Sequence, residues 1–345
     1  MQFRAVIQNG DASEKWEIPF SSFSFSEELN NDRSATVSFD RQTLREISEK
    51  YGKSPIYVLS NTYREIYIYD ENDNLIYGGY IADLQFSRGN SEEGNMTVAS
   101  KGFFSLLNKR FTNNLREYSS QDLSDIAWDL INYTQGLTYG NFGITRGADP
   151  TTRSADRTFQ YKNIAEAIEG MSNKETKDGF DFEITNAKVF NVYYPNKDSV
   201  KRNIVLENGH NIINYNIRKP FIDAMANQVI VYGDGMGEDA LIETRDAENA
   251  FKNAFFLLQD TLSEKDVRLV ATLQAKGDRY LDKNKYPQMQ VNVTCDYDVV
   301  DYNSFSLGDW VKLKIADWSI DALYRVVKRT VNEKGDIFLT LDPTI

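Results

Sequence analysis

Tyr67–Phe86 reads YIYDENDNLIYGGYIADLQF: two apolar, aromatic-rich runs separated by five acidic and amide residues. The cluster invites comparison with a calcium loop, which needs oxygen ligands at fixed offsets, a glycine at position six and a glutamate at position twelve. Counted from Asp70, the offsets supply Asp70, Asn72 and Asn74, but position six is Leu75 and position twelve is Ile81. The template fails at its two most discriminating positions. Asn and Asp tolerate left-handed backbone angles and bond to their own backbone, so the stretch predicts a hairpin, with IYIY and LIYGGYI as its strands.

Similar runs surround it. FRAVIQ, WEIPFSSFSFSEEL, SATVSFD, PIYVLS, YREIYIYD, LIYGGYIADLQFS and NMTVASKGF read as successive strands. Ala35, Val37 and Phe39 alternate with Thr36 and Ser38, the period of a sheet with one buried face. TLREISEKYG is predicted to interrupt them as a short helix closing at Gly52. From about Thr112 the period lengthens to that of helices. Leu123, Ile126, Ala127, Leu130 and Ile131 form one stripe behind Ser119 or Ser120 as N-cap, and Ile164, Ala167, Ile168 and Met171 form another. Between the two helices the chain reads as loop, and after them as strands FDFEIT, KVFNVYY, NIVLENG, NIINYNIRK and NQVIVYG. The last hundred residues hold an extended NAFFLLQD and a helix from Ser263 to Pro287, with Ser263 and Asp266 as capping box. Strands QMQVNVTCDYDVV, DWVKLKI, YRVVKRTVN and DIFLTLD follow. The expected division is a β-barrel module over 1–111, an α+β middle over 112–232, and a helix plus second β-barrel module over 233–345.

Composition limits the chemistry. The 345 residues carry a net charge of −12, so tight nucleic-acid binding through phosphate neutralisation is not expected. One cysteine and one histidine exclude an internal disulfide and any site built on two histidines. The N-terminal MQFRAVIQNGDASEKWEIPF lacks a signal peptide's apolar core, no run approaches a membrane span, and the chain reads as cytosolic when made.

The remaining candidates each have a plain structural reading. VYGDGMGED carries Gly233, Gly235 and Gly237, but its spacing is wrong for a phosphate loop, no lysine follows, and Asp234, Glu238 and Asp239 would repel phosphate; it reads as a connection between domains. His210 reads as an exposed turn residue, and Cys295 as a small buried hydrophobe alternating with Val291 and Val293. Lys312, Lys314, Arg325, Lys328 and Arg329 read as a solvated strand face, or one that meets an acidic partner. No catalytic, cofactor-binding or metal-ligating residue is assigned. A carboxylate-pair carbohydrate hydrolase and a glycan-binding module using the many Tyr and Trp side chains stand as the alternatives.

Three stretches together are similar to a known family. They are DENDNLIYGGYIADLQFSRG with MTVASKGFFSLLNKRF; SQDLSDIAWDLI with NIAEAIEGMSNKETKDGFDFEI; and NQVIVYGDG followed by SFSLGDWVKLKI and YRVVKRTVNEKGDIFLTL. In order and spacing the chain resembles the tail hub proteins of tailed bacteriophages, whose fold the hub part of type VI secretion spikes shares. The resemblance implies a homotrimer with two similar barrels per subunit. It would continue a sixfold tail tube, adapt it to a threefold fibre or spike and enclose a passage for DNA. It implies a tail tube or distal tail protein above, a central fibre, spike or tape-measure protein below, only transient contact with DNA, no membrane insertion, and a place at the tail tip after assembly in the host cytoplasm. No cofactor follows from it, and wall degradation would belong to another protein, since the chain stops soon after its last strand.

Overall fold

The computed structural model describes residues 3–88, 94–174, 179–219, 225–235, 239–264, 269–286, 289–296 and 302–343, with the single residues 222, 267 and 300. The protein is mainly β with large antiparallel sheets. It packs as two units. Unit 1 comprises Met1–Asn214 and Val293–Leu341, and unit 2 comprises Tyr215–Asn292 with the residues from Asp342.

Unit 1 begins with β1 (Arg4–Asn9), β2 (Lys15–Ile18), β3 (Ser22–Glu28) and β4 (Ser34–Phe39). WEIPFSSFSFSEEL is therefore two strands, parted at Pro19, which lacks the N–H a ladder needs. Helix α1 (Arg41–Tyr51) follows, capped by Asp40 and closing at Gly52 as expected. PIYVLS, expected as a strand, is helix α2 (Pro55–Ser60). Its apolar alternation is overruled by local chemistry: Ser54 Oγ accepts from Tyr57 N, and Pro55 in the first helical turn is already set for helix.

The hairpin of β5 (Arg64–Tyr69) and β6 (Leu75–Arg88) comes next, then β7 (Gly94–Lys101) and a 3-10 turn at Phe103–Lys109. The middle contains β8 (Arg116–Asp122), α3 (Leu123–Gln135), β9 (Thr145–Arg146), β10 (Ser154–Phe159), α4 (Ile164–Glu169), β11 (Asp181–Ile184), β12 (Val189–Tyr193) and β13 (Val200–Glu207). Ser119 and Ser120 lie in β8, so Asp122, not a serine, caps α3. The segment expected as loop holds β10, which pairs with β8.

Strand β14 (Ile212–Arg218) leads the chain out of unit 1, β18 (Gln290–Cys295) brings it back, and β19 (Trp310–Ile315), β20 (Ile320–Asn332) and β21 (Ile337–Asp342) finish it. Within unit 1 the main sheet runs β18, β21, β20, β3, β4, β7, β6, β5, β1, β2. The β20–β3 ladder, Asn332↔Ser24 to Lys328↔Glu28, joins strands from opposite ends of the sequence. Among the described residues the strand order is open, without ring closure. Under this sheet lies a core that includes Phe23, Phe25, Val37, Val98 and Val326. A second core joins the 3-10 turn, α3, α4 and the β11–β12 hairpin through Phe104, Leu107, Ile126, Ile168 and Phe182.

Unit 2 is a small α/β layer. Strand β15 (Gln228–Tyr232) lies between antiparallel β16 (Ile242–Asp246) and parallel β17 (Gln259–Ser263). Helix α6 (Val270–Asn284) sets Leu273 and Leu281 on Val229 and Val231. The expected helix start at Ser263 is overturned, since Ser263 ends β17; Asp266 and Pro287 fall outside the described residues. The expected extended NAFFLLQD begins instead in helix α5 (Asn249–Phe255).

Candidate functional site

The hairpin tip is a turn. Asp70 Oδ1 accepts from Asn72 N (2.9 Å) and Asn74 N (2.8 Å), and Asp73 takes a left-handed φ of 63°. Its Oδ2 accepts from Asn74 Nδ2 at 2.8 Å, so both carboxylate oxygens are engaged within the turn. Among the described residues no group of three or more His, Cys, Asp or Glu side chains is placed to hold a metal ion.

Parts of the stretches singled out by sequence, from β6, the β11–β12 hairpin and the LGDWV turn with β20, meet at one polar junction within unit 1, whereas NQVIVYGDG lies in unit 2. Gly78 lies where β6 meets the β11–β12 turn: a Cβ there would stand 2.4 Å from Asn186 O. Asn186 takes advantage of that approach by accepting from Gly78 N (3.0 Å) and donating to Ile76 O (2.8 Å). Arg33, after β3, donates to Asn186 Oδ1 at 2.7 Å and to Glu183 at 3.2 Å. Asn30 locks the same hairpin from the other side, donating to Asp181 (2.6 Å) and accepting from Phe182 N (2.8 Å).

The C-terminal strands join through Gly308 of the LGDWV turn. Its φ of +89° lies in the left-handed region, and a Cβ would fall 2.0 Å from Lys197 O. That carbonyl also accepts from Arg325 Nη2 at 2.9 Å, while Lys197 N donates to Asp181 at 2.7 Å and Arg325 pairs with the same carboxylate. Deeper in, Arg329 donates from Nε to Glu27 (2.6 Å) and from Nη1 to the carbonyls of Tyr302 (2.9 Å) and Phe305 (2.8 Å). Its guanidinium lies 3.7 Å from the Tyr302 ring centre. Three separate chain segments are thus tied through side chains that leave few buried groups unpaired, which is the condition for a buried polar network to stabilise rather than cost.

A cleft of about 350 Å³ opens onto this junction, lined among others by Glu27, Arg33, Glu183, Asn186, Lys197 and Arg329. Its two carboxylates invite comparison with a hydrolase pair, but their charge states do not suit one. Burial alone would raise Glu27, yet Arg329 and then Arg33 hold it below its ordinary value. Burial likewise opposes Lys197 and Arg33 at Glu183, and the cations again win. A general acid needs a raised carboxyl pKa; both groups are shifted the other way and serve as fixed anions.

The other sequence candidates are dispersed. His210 is exposed in the turn after β13. Cys295 is buried, and burial pushes its thiol up to about 12, away from nucleophile chemistry. Gly233, Asp234 and Gly235 lie in the connection from β15 to β16, closed by Gly233 N to Leu241 O at 2.6 Å. That segment therefore links two strands of one sheet, which corrects its reading as a connection between domains; Gly237 and Glu238 lie outside the described residues, and Asp239 is exposed beside them. Lys312 pairs with Asp321 (2.8 Å), and Lys314 and Lys328 with Glu207 and Glu28 (both 3.8 Å), all at the surface. Arg325 and Arg329 depart from the expected solvated face: β20 turns them inward onto Asp181 and Glu27.

Sequence reasoning did not single out Glu27, Asn30, Arg33, Asp181, Glu183 or Asn186. Glu27 carried a signal, since it occupies the register position that the alternation of Phe23 and Phe25 reserves for a third apolar residue.

No family model matches the chain, and neither does any curated protein sequence. Solved structures do. A tail protein from Neisseria meningitidis MC58 superposes with a TM-score of 0.66 at 14% identity, covering 99% of this chain and 97% of that one. A 43 kDa tail protein of prophage MuSo2 from Shewanella oneidensis gives 0.66 at 11% identity over 98% and 97%. An E. coli type VI secretion component, described as structurally similar to the T4 bacteriophage tail proteins gp27 and gp5, gives 0.54 at 10% identity over 95% and 74%. The chain has the fold of phage tail and type VI hub proteins.

Proposed function

We propose that this chain is a structural tail hub protein of a bacteriophage, acting as a homotrimeric ring that continues the tail tube, adapts sixfold to threefold symmetry and encloses the DNA passage. The observation that carries the reading is the match of fold along nearly the whole length of two tail proteins. The junction supports it. A ring subunit that transmits load along a tube needs its segments locked to one another, and Glu27, Arg33, Asp181 and Arg329 lock three of them without forming a reactive centre. The division into tube modules at 1–111 and 233–345 around a middle at 112–232 is part of this proposal, with unit 2 preceding the last tube strands.

In this reading the partners are two further copies of the chain, a tail tube or distal tail protein above and a fibre, spike or tape-measure protein below, at the tip of the virion tail. The acidic balance suits a conduit, because a surface poor in cationic contacts gives passing phosphates nowhere to settle. Light scattering of the purified protein over a range of concentrations tests the core of the proposal. A mass of three times 39.6 kDa, with rings in negative stain, supports it. A monomer at every concentration that also fails to join a purified tail tube refutes it.

A further inference from the structure

Where β20, β3, β4 and β7 lie side by side, the two faces of the main sheet differ in kind. One carries Phe23, Phe25, Val37 and Val98 into the core. Across the ladders on the other face, Ser24 stands beside Thr36 and Thr36 beside Ala99, and one row on, Ser22, Ser38 and Thr97 align. Toward β20 the pattern continues, with Thr330 opposite Ser26 and their hydroxyls 3.0 Å apart. No residue of these rows is buried. Over β20, β3, β4 and β7 the charged side chains placed by the ladders stand at the edge of these rows: Lys101, with Asp83 of β6 beyond it, on one flank, and the Glu28–Lys328 pair at one end.

This composition needs a cause. Charged residues make up 26% of the chain, and a solvated sheet face is ordinarily where they collect. Strands favour β-branched and aromatic residues, and serine offers neither quality. A subunit interface would not select it either, since interface cores gather aromatic residues, Met and Arg and are depleted in Ser and Ala. Small hydroxyls on a stiff sheet make a smooth, hydrated surface without cations. Stable DNA binding comes from Lys and Arg displacing counterions from phosphates, and this face supplies none of that over its centre.

We propose that this hydroxyl face is the wall of the channel and faces duplex DNA in transit; the assignment rests on the ring reading above. The native Cys295 is buried, so maleimide gold can be directed by Thr36→Cys or Thr97→Cys, with Glu49→Cys on the exposed side of α1 as control. In negative stain, gold inside the ring for both sheet positions and outside for the control is the expected result. Gold on the outer perimeter, or rings that fall apart when the sheet positions are labelled, overturns the channel assignment while leaving the ring reading intact. Unlabelled protein that forms no rings, alone or on a tail tube, overturns both. The occupant is tested with Ser24→Lys/Thr36→Lys/Thr97→Lys rings and a linear DNA duplex. Retention should rise by about tenfold or more at 50 mM salt and fall back by 200 mM. Unchanged retention in rings whose channel is labelled at these positions rejects DNA and leaves a protein, such as one that fills the tube before ejection, as the occupant.

Discussion

Replacing Arg329 tests whether the junction holds unit 1 together. Arg329→Met keeps much of the side chain's volume but removes its bond to Glu27, the bonds to the Tyr302 and Phe305 carbonyls, and the stacking on Tyr302. Among the described residues Glu27 then stays buried with Arg33, at 3.4 Å, as the one cation left to balance its charge. Breaking one side of a buried pair costs roughly 3–5 kcal/mol, equivalent to about 10 °C in Tm for a unit of this size. Glu27→Leu should cost a similar amount by leaving the guanidinium buried. The double variant Glu27→Leu/Arg329→Met buries no unpaired charge and loses mainly the two carbonyl bonds, about 1–3 kcal/mol. The coupling should therefore reach roughly 2 kcal/mol or more. Urea unfolding followed by tryptophan fluorescence reads this cleanly, because Trp16, Trp128, Trp310 and Trp318 all lie in unit 1. Single substitutions below about 1 kcal/mol, or a double variant equal to the sum of its parts, would refute the reasoning.

The same junction fixes an acid limit. Because Glu27 and Glu183 are held below their ordinary values in the folded state, their stabilisation is complete above the unfolded carboxylate pKa of about 4.3 and is lost as pH falls through the folded values. The double variant should therefore show a flatter acid limb in thermal melts below about pH 4. Asp32 has the opposite sign: burial raises it to about 6, so its effect on stability is most favourable below the unfolded pKa near 3.9 and declines as pH rises to about 6. Asp32→Asn, still able to accept from Ser105 N, should remove that decline and gain roughly 1–3 kcal/mol at pH 7.5; equal slopes between pH 4 and 6 in both proteins would reject this. Gly308→Ala combines a left-handed φ with a collision on Lys197 O and should cost at least about 2 kcal/mol, whereas a melt within 2 °C of the parent would show that the turn relaxes freely. Ser54→Ala should cost about 1 kcal/mol through loss of the α2 cap, measured by the same unfolding curves.

The legible and illegible parts of this fold divide by the range of the forces that set them. The Asp70 hairpin, the cap at Gly52 and the helical stripes of α3 and α4 were readable because neighbours in sequence decide them. PIYVLS misled for the same reason in reverse, its alternation being weaker than the Ser54–Pro55 helix start beside it. The order of strands was another matter, since no local signal says that β20 will lie against β3, and that ladder decides that the terminal segments share one sheet.

The junction shows why a site assembled across such distances stays hidden and yet leaves a trace. Asp181 meets Asn30, Lys197 and Arg325, groups that approach only after the sheet has formed. Taken singly, Glu27, Asp181 and Arg329 look like interruptions of apolar strands, and a lone buried charge would indeed cost several kcal/mol. A chain that places such charges at core positions in three separate segments must bring them together or fail to fold. The misfit residues of a sequence are therefore a set to be solved jointly, with Gly78 and Gly308 marking the places where the backbones come close enough for them to meet. By that logic the serines of β3 and β4 belong to a second such set. They break no charge rule and satisfy no core, and the channel proposed above supplies a cause for their placement.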